Sequence, residues 1–503
     1  MRPRFPAAAL GAGLAVVLAA GCASLDAPFA VHLASAAQQV RGCAEWYRAL
    51  DERVAAAGTR DAQDAPVAGF PYLRVSRLLA SLRPAALANE RVLHALTDRM
   101  LALDLEARRY EIMNLPAGQF AELRLALQRT EACGRLLLEI DLARPESRDA
   151  LLRHAEVPDD YRLASRILGL YWLTRMPFAE GVRRQEEETR VAFGRDPAFA
   201  EDAMRNVHHV HHVRYAPEPG VPLPRAGVAL LLARAAENPL HIPELPESDM
   251  KELLAAYAPS FAIEVKGDYD RFGTLRWLRD TDSPSVNGAE LAVYGHPAWT
   301  RYEDRVLLQL VYTLWFPERL PQSEGDPLAG KLDGITWRVT LAPDGEPLVY
   351  DAIHPCGCYH QFFPTPRATV RPGPGGPEEW MFSPQSLPRI ADGERPLVRI
   401  ASGTHYIDRI AVVRGTDSLV RYEIRPYGEL RSLLRYSGGR ASMFGQDGLV
   451  PGSERAERFA FWPMGIASAG AMRQWGRHAT AFVGRRHFDD ADLLEKRFRF
   501  DLR

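Results

Sequence analysis

The segment 350–360, with the sequence YDAIHPCGCYH, concentrates side chains with reactive or metal-binding chemistry in one short stretch of the chain. Its potential metal donors are His354, Cys356, Cys358 and His360. Thiolate sulfur and imidazole nitrogen are donors that zinc, copper and iron prefer. On a straight strand the two histidines would lie about 20 Å apart, so a shared metal requires a bend. Pro355 and Gly357 allow that bend.

Three interpretations of this CxCxH segment are open from the residues alone. The first is a transition-metal site formed by some of these donors, with Asp351 and His405 as candidates for groups that orient a bound imidazole. The second is a Cys356–Cys358 disulfide with no metal, whose small strained ring tends to be oxidising, so that it is either a redox centre or merely structural. The third is a pair of reduced thiols that only pack. Covalent haem is not expected, because its attachment motif has two residues between the cysteines.

A second cluster, VHHVHH, occupies residues 207–212. In a helix, His208 and His212 would stack at i, i+4, which is a known zinc-binding spacing. In an extended chain, His209 and His211 would instead share one face and could chelate as a pair. We therefore include His209 and His211 as candidate metal ligands, with a solvated surface loop as the alternative.

His405 has Asp408 three residues later, and a carboxylate often orients an imidazole that acts as a ligand or a base. On a strand, however, residues three apart point to opposite faces. We therefore do not expect these two side chains to meet.

The chain lacks the usual signatures of several large enzyme classes. No GxSxG elbow, HExxH, Walker A loop or helix-opening GxGxxG occurs, so we expect no nucleotide cofactor. With 62 basic and 64 acidic residues the net charge is −2, which also argues against a nucleic-acid partner. A hydrophobic content of 47% is typical of a globular protein and excludes a disordered or polytopic membrane chain.

The hydrophobic pattern predicts an α+β fold, with a helical N-terminal domain followed by a mainly antiparallel, β-rich C-terminal domain. Apolar residues recur at spacings of three and four until about residue 200, whereas after about 258 they alternate with a period of two. ITWRVTL and PLVYDAIH form an expected hairpin through Pro343-Asp344-Gly345. RVLLQLVYTLWF is apolar on both faces, as in a central strand.

These patterns predict five segments. They are a signal peptide (1–21), a tether (22–35), a helical domain (36–214), a Pro-rich connector with one short helix (215–257), and a β-rich domain that carries the CxCxH segment (258–503).

The N-terminus predicts export and lipid anchoring. Arg2 and Arg4 precede an apolar stretch, Ala7 to Ala20, that is too short to span a bilayer. Residues 18–22, at the end of this stretch and just after it, read LAAGC. This ending resembles the lipobox of bacterial lipoproteins, and the resemblance implies that Cys22 becomes the N-terminus and carries a diacylglycerol. Acyl chains would attach the protein to a membrane of the bacterial cell envelope. Ala23, in place of Asp, implies the outer membrane, facing the periplasm.

The remaining pair, Cys43 and Cys133, lies in helical-looking segments of a chain expected in an oxidising compartment. A disulfide between them would close a large loop and stabilise the fold by about 4–5 kcal/mol, whereas two buried free thiols are the alternative.

The sequence therefore leaves three hypotheses for an envelope protein that binds the membrane through its lipid anchor. They are a metal-binding protein, a thiol–disulfide redox protein and a non-catalytic scaffold. No protein partner can be named from the residues.

Lipidation gives the first testable prediction. Bacteria that express the full chain should incorporate labelled palmitate into it, and Cys22→Ala should abolish the label because the thiol that accepts the lipid is gone. An unlabelled wild type, or equal labelling of the variant, would remove the anchoring hypothesis.

Overall fold

The computed structural model describes residues 27–116, 118, 122–196, 198–199, 212–220, 223–279, 283–414 and 420–502. The predicted signal peptide, Cys22, His209 and His211 lie outside these residues. The chain forms two compact units, one from residues up to Arg60 together with Asp64–Pro158, and one from Asp61–Gln63 together with residues from Asp159 onward. The predicted α+β class is confirmed, since helices dominate the N-terminal half and a large sheet the C-terminal half.

The first unit is a set of helices around one short hairpin. The helices are α1 (Ala27–Leu33), α2 (Gln38–Ala57), α3 (Arg77–Ser81), α4 (Arg83–Ala88), α5 (Glu90–Met113), α6 (Leu123–Leu142) and α7 (Pro145–His154), and the strands are β1 (Ala65–Val67) and β2 (Phe70–Val75). Local sequence sets the helix ends: the Asn89 side chain accepts from the first backbone amides of α5, and Gly58 ends α2 with a left-handed φ of 69°.

A disulfide and buried polar contacts join the helices of the first unit. Cys43 in α2 and Cys133 in α6 form a disulfide with a Cα–Cα distance of 5.0 Å, so the alternative of two free thiols is not realised. His32 in α1 lies 2.8 Å from the Asp141 carboxylate in α6. The described part of the predicted tether is therefore helical and attached to the unit.

The first two helices of the second unit lie within residues 36–214, which the sequence predicts to be one helical domain. The helices of the second unit are α8 (Leu163–Leu168), α9 (Tyr171–Gly194), α10 (Arg225–Ala235), α11 (Glu247–Tyr257), α12 (Arg458–Phe461) and α13 (Leu493–Arg497). The compact units divide after Pro158 rather than at the predicted boundary of 214. Helical periodicity continues across this division, so the sequence pattern carries no mark of it.

The second unit is organised by a ten-stranded mixed sheet in the order β11-β10-β9-β8-β7-β15-β3-β4-β13-β14. Its strands are β3 (His212–Pro217), β4 (Ser260–Glu264), β7 (Ala292–Tyr302), β8 (Arg305–Arg319), β9 (Gly330–Leu341), β10 (Pro347–Ile353), β11 (Gln361–Pro364), β13 (Glu394–Ile400), β14 (Ile407–Arg414) and β15 (Val420–Pro426). Within the described strands, β15 pairs in parallel with β7 and β3, and β13 pairs in parallel with β4, whereas the other pairings are antiparallel.

Short pairs complete the unit. They are β5 (Thr274–Trp277) with β6 (Pro284–Asn287), β12 (Ala368–Val370) with β18 (Phe498–Phe500), and β16 (Leu433–Leu434) with β17 (Arg440–Ala441). Among the residues that the structure describes, no helix has the length and apolar character needed to cross a membrane.

Both expected features of the central strands are present. β9 and β10 form the predicted antiparallel hairpin, with Gly345 of the turn at a φ of 80°. β8 lies between β7 and β9 and is buried along most of its length. Burial on both faces leaves little room for polar side chains, so the charged residues that do occur in β9 and β10 need partners.

Candidate functional site

The CxCxH segment is the loop that connects β10 to β11, and it bends sharply. The Gly357 amide donates to the His354 carbonyl oxygen at 2.7 Å, and the His354 amide donates to the Cys358 carbonyl oxygen at 3.0 Å. Gly357 has a φ of 91°, and a Cβ there would collide with the Ala479 carbonyl oxygen. Only glycine satisfies both the conformation and this close approach.

The bend does not bring the four predicted donors to one point. His354 Nδ1 lies 3.0 Å from Asp333 Oδ1, whereas His360 Nε2 lies 2.9 Å from Asp351 Oδ2. Throughout the described ranges, no three His, Cys, Asp or Glu side chains are arranged to hold a metal ion. The imidazoles are therefore held by separate carboxylates, and the sulfur atoms remain without a third donor in that part of the chain.

The first carboxylate, Asp333 in β9, is completely buried and is shared by three groups. It contacts His354, His405 through Nδ1 at 3.0 Å, and Arg455 at 3.3 Å. Burial alone would raise the pKa of Asp333, but the charges of His354 and Arg455 and the hydrogen bonds from both histidines hold it well below its ordinary value. Asp333 thus ties the start of the loop to two distant segments.

His405 reaches the site through Asp333 and not through its sequence neighbour. His405 precedes the strand β14, and the Asp408 carboxylate pairs with Arg399 at 2.7 Å. His405 stacks on Phe316 with ring centroids 3.9 Å apart and has a φ of 54°. Burial tends to lower the pKa of His405, but hydrogen bonds to Asp270 and Asp333 raise it above the ordinary value.

The second carboxylate, Asp351 in β10, orients the other end of the loop. Arg338 of β9 binds it with two hydrogen bonds, of 2.9 Å and 2.5 Å, and His360 adds a third contact. Burial lowers the pKa of His360 to about 3, so its imidazole is neutral at physiological pH. Its Nδ1 is buried and has no hydrogen-bond partner among the described residues.

Between these anchors lie the two cysteines, both free thiols and both buried. The Cys358 amide donates to Cys356 Sγ at 3.4 Å. Burial tends to raise the pKa of Cys356, but the hydrogen bond from Cys358 and the charge of Arg455 bring it below the ordinary value. The pKa of Cys358 is raised well above it, first by the hydrogen bond with Cys356 and then by burial. Cys356 is therefore the sulfur that ionises first.

The loop forms one wall of a cavity of about 440 Å³ in the second unit. The apolar part of its lining includes Phe178, Val182, Met381, Phe382, Phe461 and Phe482. Cys356 and Cys358, which are 2% and 9% exposed, belong to the lining of this cavity. A concave, mostly apolar space with a few polar groups is typical of small-molecule binding sites.

Glu457 is a carboxyl in this cavity that the sequence pattern did not reveal. Burial raises its pKa to about 7, and its charge in turn raises the pKa of both thiols. Gly470 leaves the space that the carboxyl occupies, since a Cβ there would collide with it. Glu457 is about 100 residues from the cysteines in the chain, so no spacing rule could associate them. Asp333 did carry a signal, because a carboxylate inside an apolar strand needs a partner.

No protein-family model, no curated protein and no solved structure matches this chain. Function must therefore be argued from the geometry of the site.

The requirement for glycine at 357 can be tested against a matched position. Gly376 has a similar φ of 96°, but nothing lies within 4 Å of a Cβ built there. We expect Gly376→Ala to lower the free energy of unfolding by about 1 kcal/mol, from backbone strain alone. Gly357→Ala should lower it by about 3 kcal/mol or more, because the Ala479 backbone must also move. Chemical denaturation followed by circular dichroism measures both, and equal losses would contradict the proposed close approach.

Proposed function

We propose that this protein is a lipid-anchored protein of the bacterial cell envelope, placed by its N-terminus at the outer membrane, and that it performs thiol–disulfide exchange with molecules that enter the apolar cavity. The observation that carries the redox proposal is the pair of free thiols in the cavity wall, with the Cys358 amide donating to Cys356 Sγ at 3.4 Å. An exported dithiol with one acidified sulfur is the arrangement that such exchange requires.

The two sulfur atoms take different roles. The Cys356 thiolate attacks one sulfur of a substrate disulfide, a bond forms between Cys356 and the substrate, and the first substrate thiolate leaves. Cys358 then loses its proton and attacks Cys356, which releases the second substrate thiolate and forms the Cys356–Cys358 disulfide. Two electrons pass to the substrate, and the protons of both cysteines end on its thiols. The reverse sequence oxidises a substrate dithiol.

Glu457 is the group suited to the proton transfer in the second step. It lines the same cavity as Cys358, it interacts electrostatically with that thiol, and its pKa of about 7 allows both protonation states near neutral pH. The positive charge of Arg455 stabilises the Cys356 thiolate. These two groups provide a base and a counter-charge for the exchange.

The small ring of a CxC disulfide favours the oxidising direction. Closing it strains the dihedral angle about the sulfur–sulfur bond, which makes the disulfide easier to reduce. The main-chain contacts of the loop add rigidity, since the Arg473 amide donates to Pro355 O at 2.8 Å and its side chain to Cys356 O at 3.1 Å.

A second candidate function is the binding of one soft metal ion by the two sulfur atoms. The same proximity of the thiols favours it, and among the zinc, copper and iron expected from the sequence, Cu(I) is best suited to soft sulfur ligands. Zinc commonly requires four ligands in a structural site. In the described ranges His354 and His360 are committed to carboxylates and cannot complete that set.

A glutathione redox titration tests the exchange function. In the purified mature protein, we expect a reversible two-electron oxidation of Cys356 and Cys358, with a potential near or above about −200 mV, while the Cys43–Cys133 disulfide stays closed. Mass spectrometry after alkylation identifies the state of each cysteine. Cys356→Ser should prevent formation of a mixed disulfide, whereas Cys358→Ser should trap it. Stoichiometric copper that is lost in both variants would support the metal function instead. If neither the reversible oxidation nor copper is found, the protein is a non-catalytic scaffold.

The pH dependence of alkylation tests the electrostatics. The reactive Cys356 thiolate is present above its pKa, so the rate of alkylation should fall as the pH drops through that value. Above about pH 7 the Glu457 carboxyl is charged, and its charge raises the pKa of Cys356. Glu457→Gln removes this charge and should shift the pH profile of Cys356 alkylation to lower pH. Glu454→Gln, at an exposed carboxylate nearby in the chain, serves as the control and should leave the profile unchanged. An unshifted Glu457→Gln profile would contradict this assignment.

A further inference from the structure

The second unit exposes a group of large apolar side chains on α8, on the first turns of α9 and on the segment 458–464. Its members are Leu163, Ile167, Leu168, Leu170, Trp172, Leu173, Met176, Phe459 and Trp462, and each has between 43% and 76% of its surface exposed. We call this set the α8–α9 patch. Single exposed hydrophobic residues are ordinary, but a contiguous group of this size marks a binding surface.

The elements of the patch are packed together into one surface. The Arg162 amide donates to Gly465 O and the Arg166 side chain donates to Met464 O, both at 2.8 Å. Gly169 lies so close to Pro463 that a Cβ would collide with it. These contacts join α8 to the 458–464 segment.

The two segments that form the patch carry arginines, and acidic residues such as Asp159 and Glu180 lie just outside them in the chain. Residues 161–179 contain three arginines and no acidic residue, and residues 458–476 contain two arginines and no acidic residue. Arg166 and Arg473 are buried and bonded to backbone oxygens. Arg162 is exposed, and the partly exposed Arg458 lies over the Phe459 ring at 4.8 Å. The surface therefore combines aromatic and aliphatic side chains with cationic groups at its edge.

We propose that the α8–α9 patch inserts into the interfacial layer of a membrane that contains anionic lipid. Tryptophan, leucine and phenylalanine on one face with arginine beside them is the composition of surfaces that bind in this layer. The exposed Arg162 and the partly exposed Arg458 complement an anionic leaflet. The proposed acyl anchor at Cys22 would keep the chain close to such a membrane. This second contact does not depend on the chemistry of the cysteines.

The patch borders the cavity that contains the thiols. Met176 and Trp462 of the patch are the sequence neighbours of Pro177 and Phe461, which line that cavity. A membrane bound at the patch would therefore lie beside the cavity wall.

Vesicle sedimentation tests the proposal without the lipid anchor. The mature chain from Ala23, produced without acylation, contains every residue that the structure describes. We expect it to sediment with vesicles of phosphatidylethanolamine and phosphatidylglycerol, and less with phosphatidylcholine alone. The triple variant Leu168→Ser, Trp172→Ser and Phe459→Ser should bind at least about tenfold more weakly, because the apolar area that enters the interface is lost. Arg162→Glu should weaken binding mainly to the anionic vesicles.

The matched control removes equally exposed side chains of the same unit elsewhere. Leu230 and Leu434 are 74% and 70% exposed, and the double variant Leu230→Ser, Leu434→Ser should bind like the wild type. Circular dichroism and Cys356 alkylation should be unchanged in the variants, which shows that the fold is kept. No sedimentation of the wild type, or equal loss in the control, would overturn the proposal. The proposal would also be overturned if the wild type formed a dimer without vesicles and the triple variant did not. The patch would then bind a second copy of the chain.

Discussion

The buried carboxylate of Asp333 is the constraint on which the candidate site depends. A carboxylate in the core of a sheet is stable only when its charge is matched and its oxygens are hydrogen-bonded, and Asp333 obtains this from His354, His405 and Arg455. Removing one partner of such a buried group typically costs about 3–5 kcal/mol. The three partners come from the CxCxH loop, from the turn before β14 and from the segment before α12, so one charge holds three separate parts of the chain in register.

A second buried pair fixes the other end of the same loop. Arg338 and Asp351 face each other across the β9–β10 hairpin, and Arg338 also donates to Phe488 O in the C-terminal segment at 2.5 Å. With His354 held by Asp333 and His360 held by Asp351, the residues between them have little conformational freedom. The two cysteines are thereby kept close together, and the pKa of Cys356 is lowered by its contacts with Cys358 and by the charge of Arg455.

The same contacts explain why the apparent metal ligands do not converge on one point in the described part of the chain. Imidazoles that bond to carboxylates within a dry core serve to position the backbone, whereas the sulfur atoms lie at the wall of an apolar cavity. The cavity is enclosed by α9 and by segments near residues 380, 460 and 480. The residue types alone suggested that the histidines and the cysteines could act together. In the fold, the histidines bond to carboxylates, whereas the cysteines line the cavity.

The sequence by itself determined the α+β class, the β9–β10 hairpin and the buried central strand β8, because each depends on local hydrophobic period or turn residues. It allowed the bend at Gly357 without requiring it. It also limited Cys43 and Cys133 to two alternatives. Only the tertiary structure decided that His354 and His360 have separate carboxylate partners, that Glu457 shares a cavity with the thiols and that the compact units divide after Pro158. These facts rest on contacts between residues that are distant in the chain, and local patterns carry no information about which distant charges will be buried together.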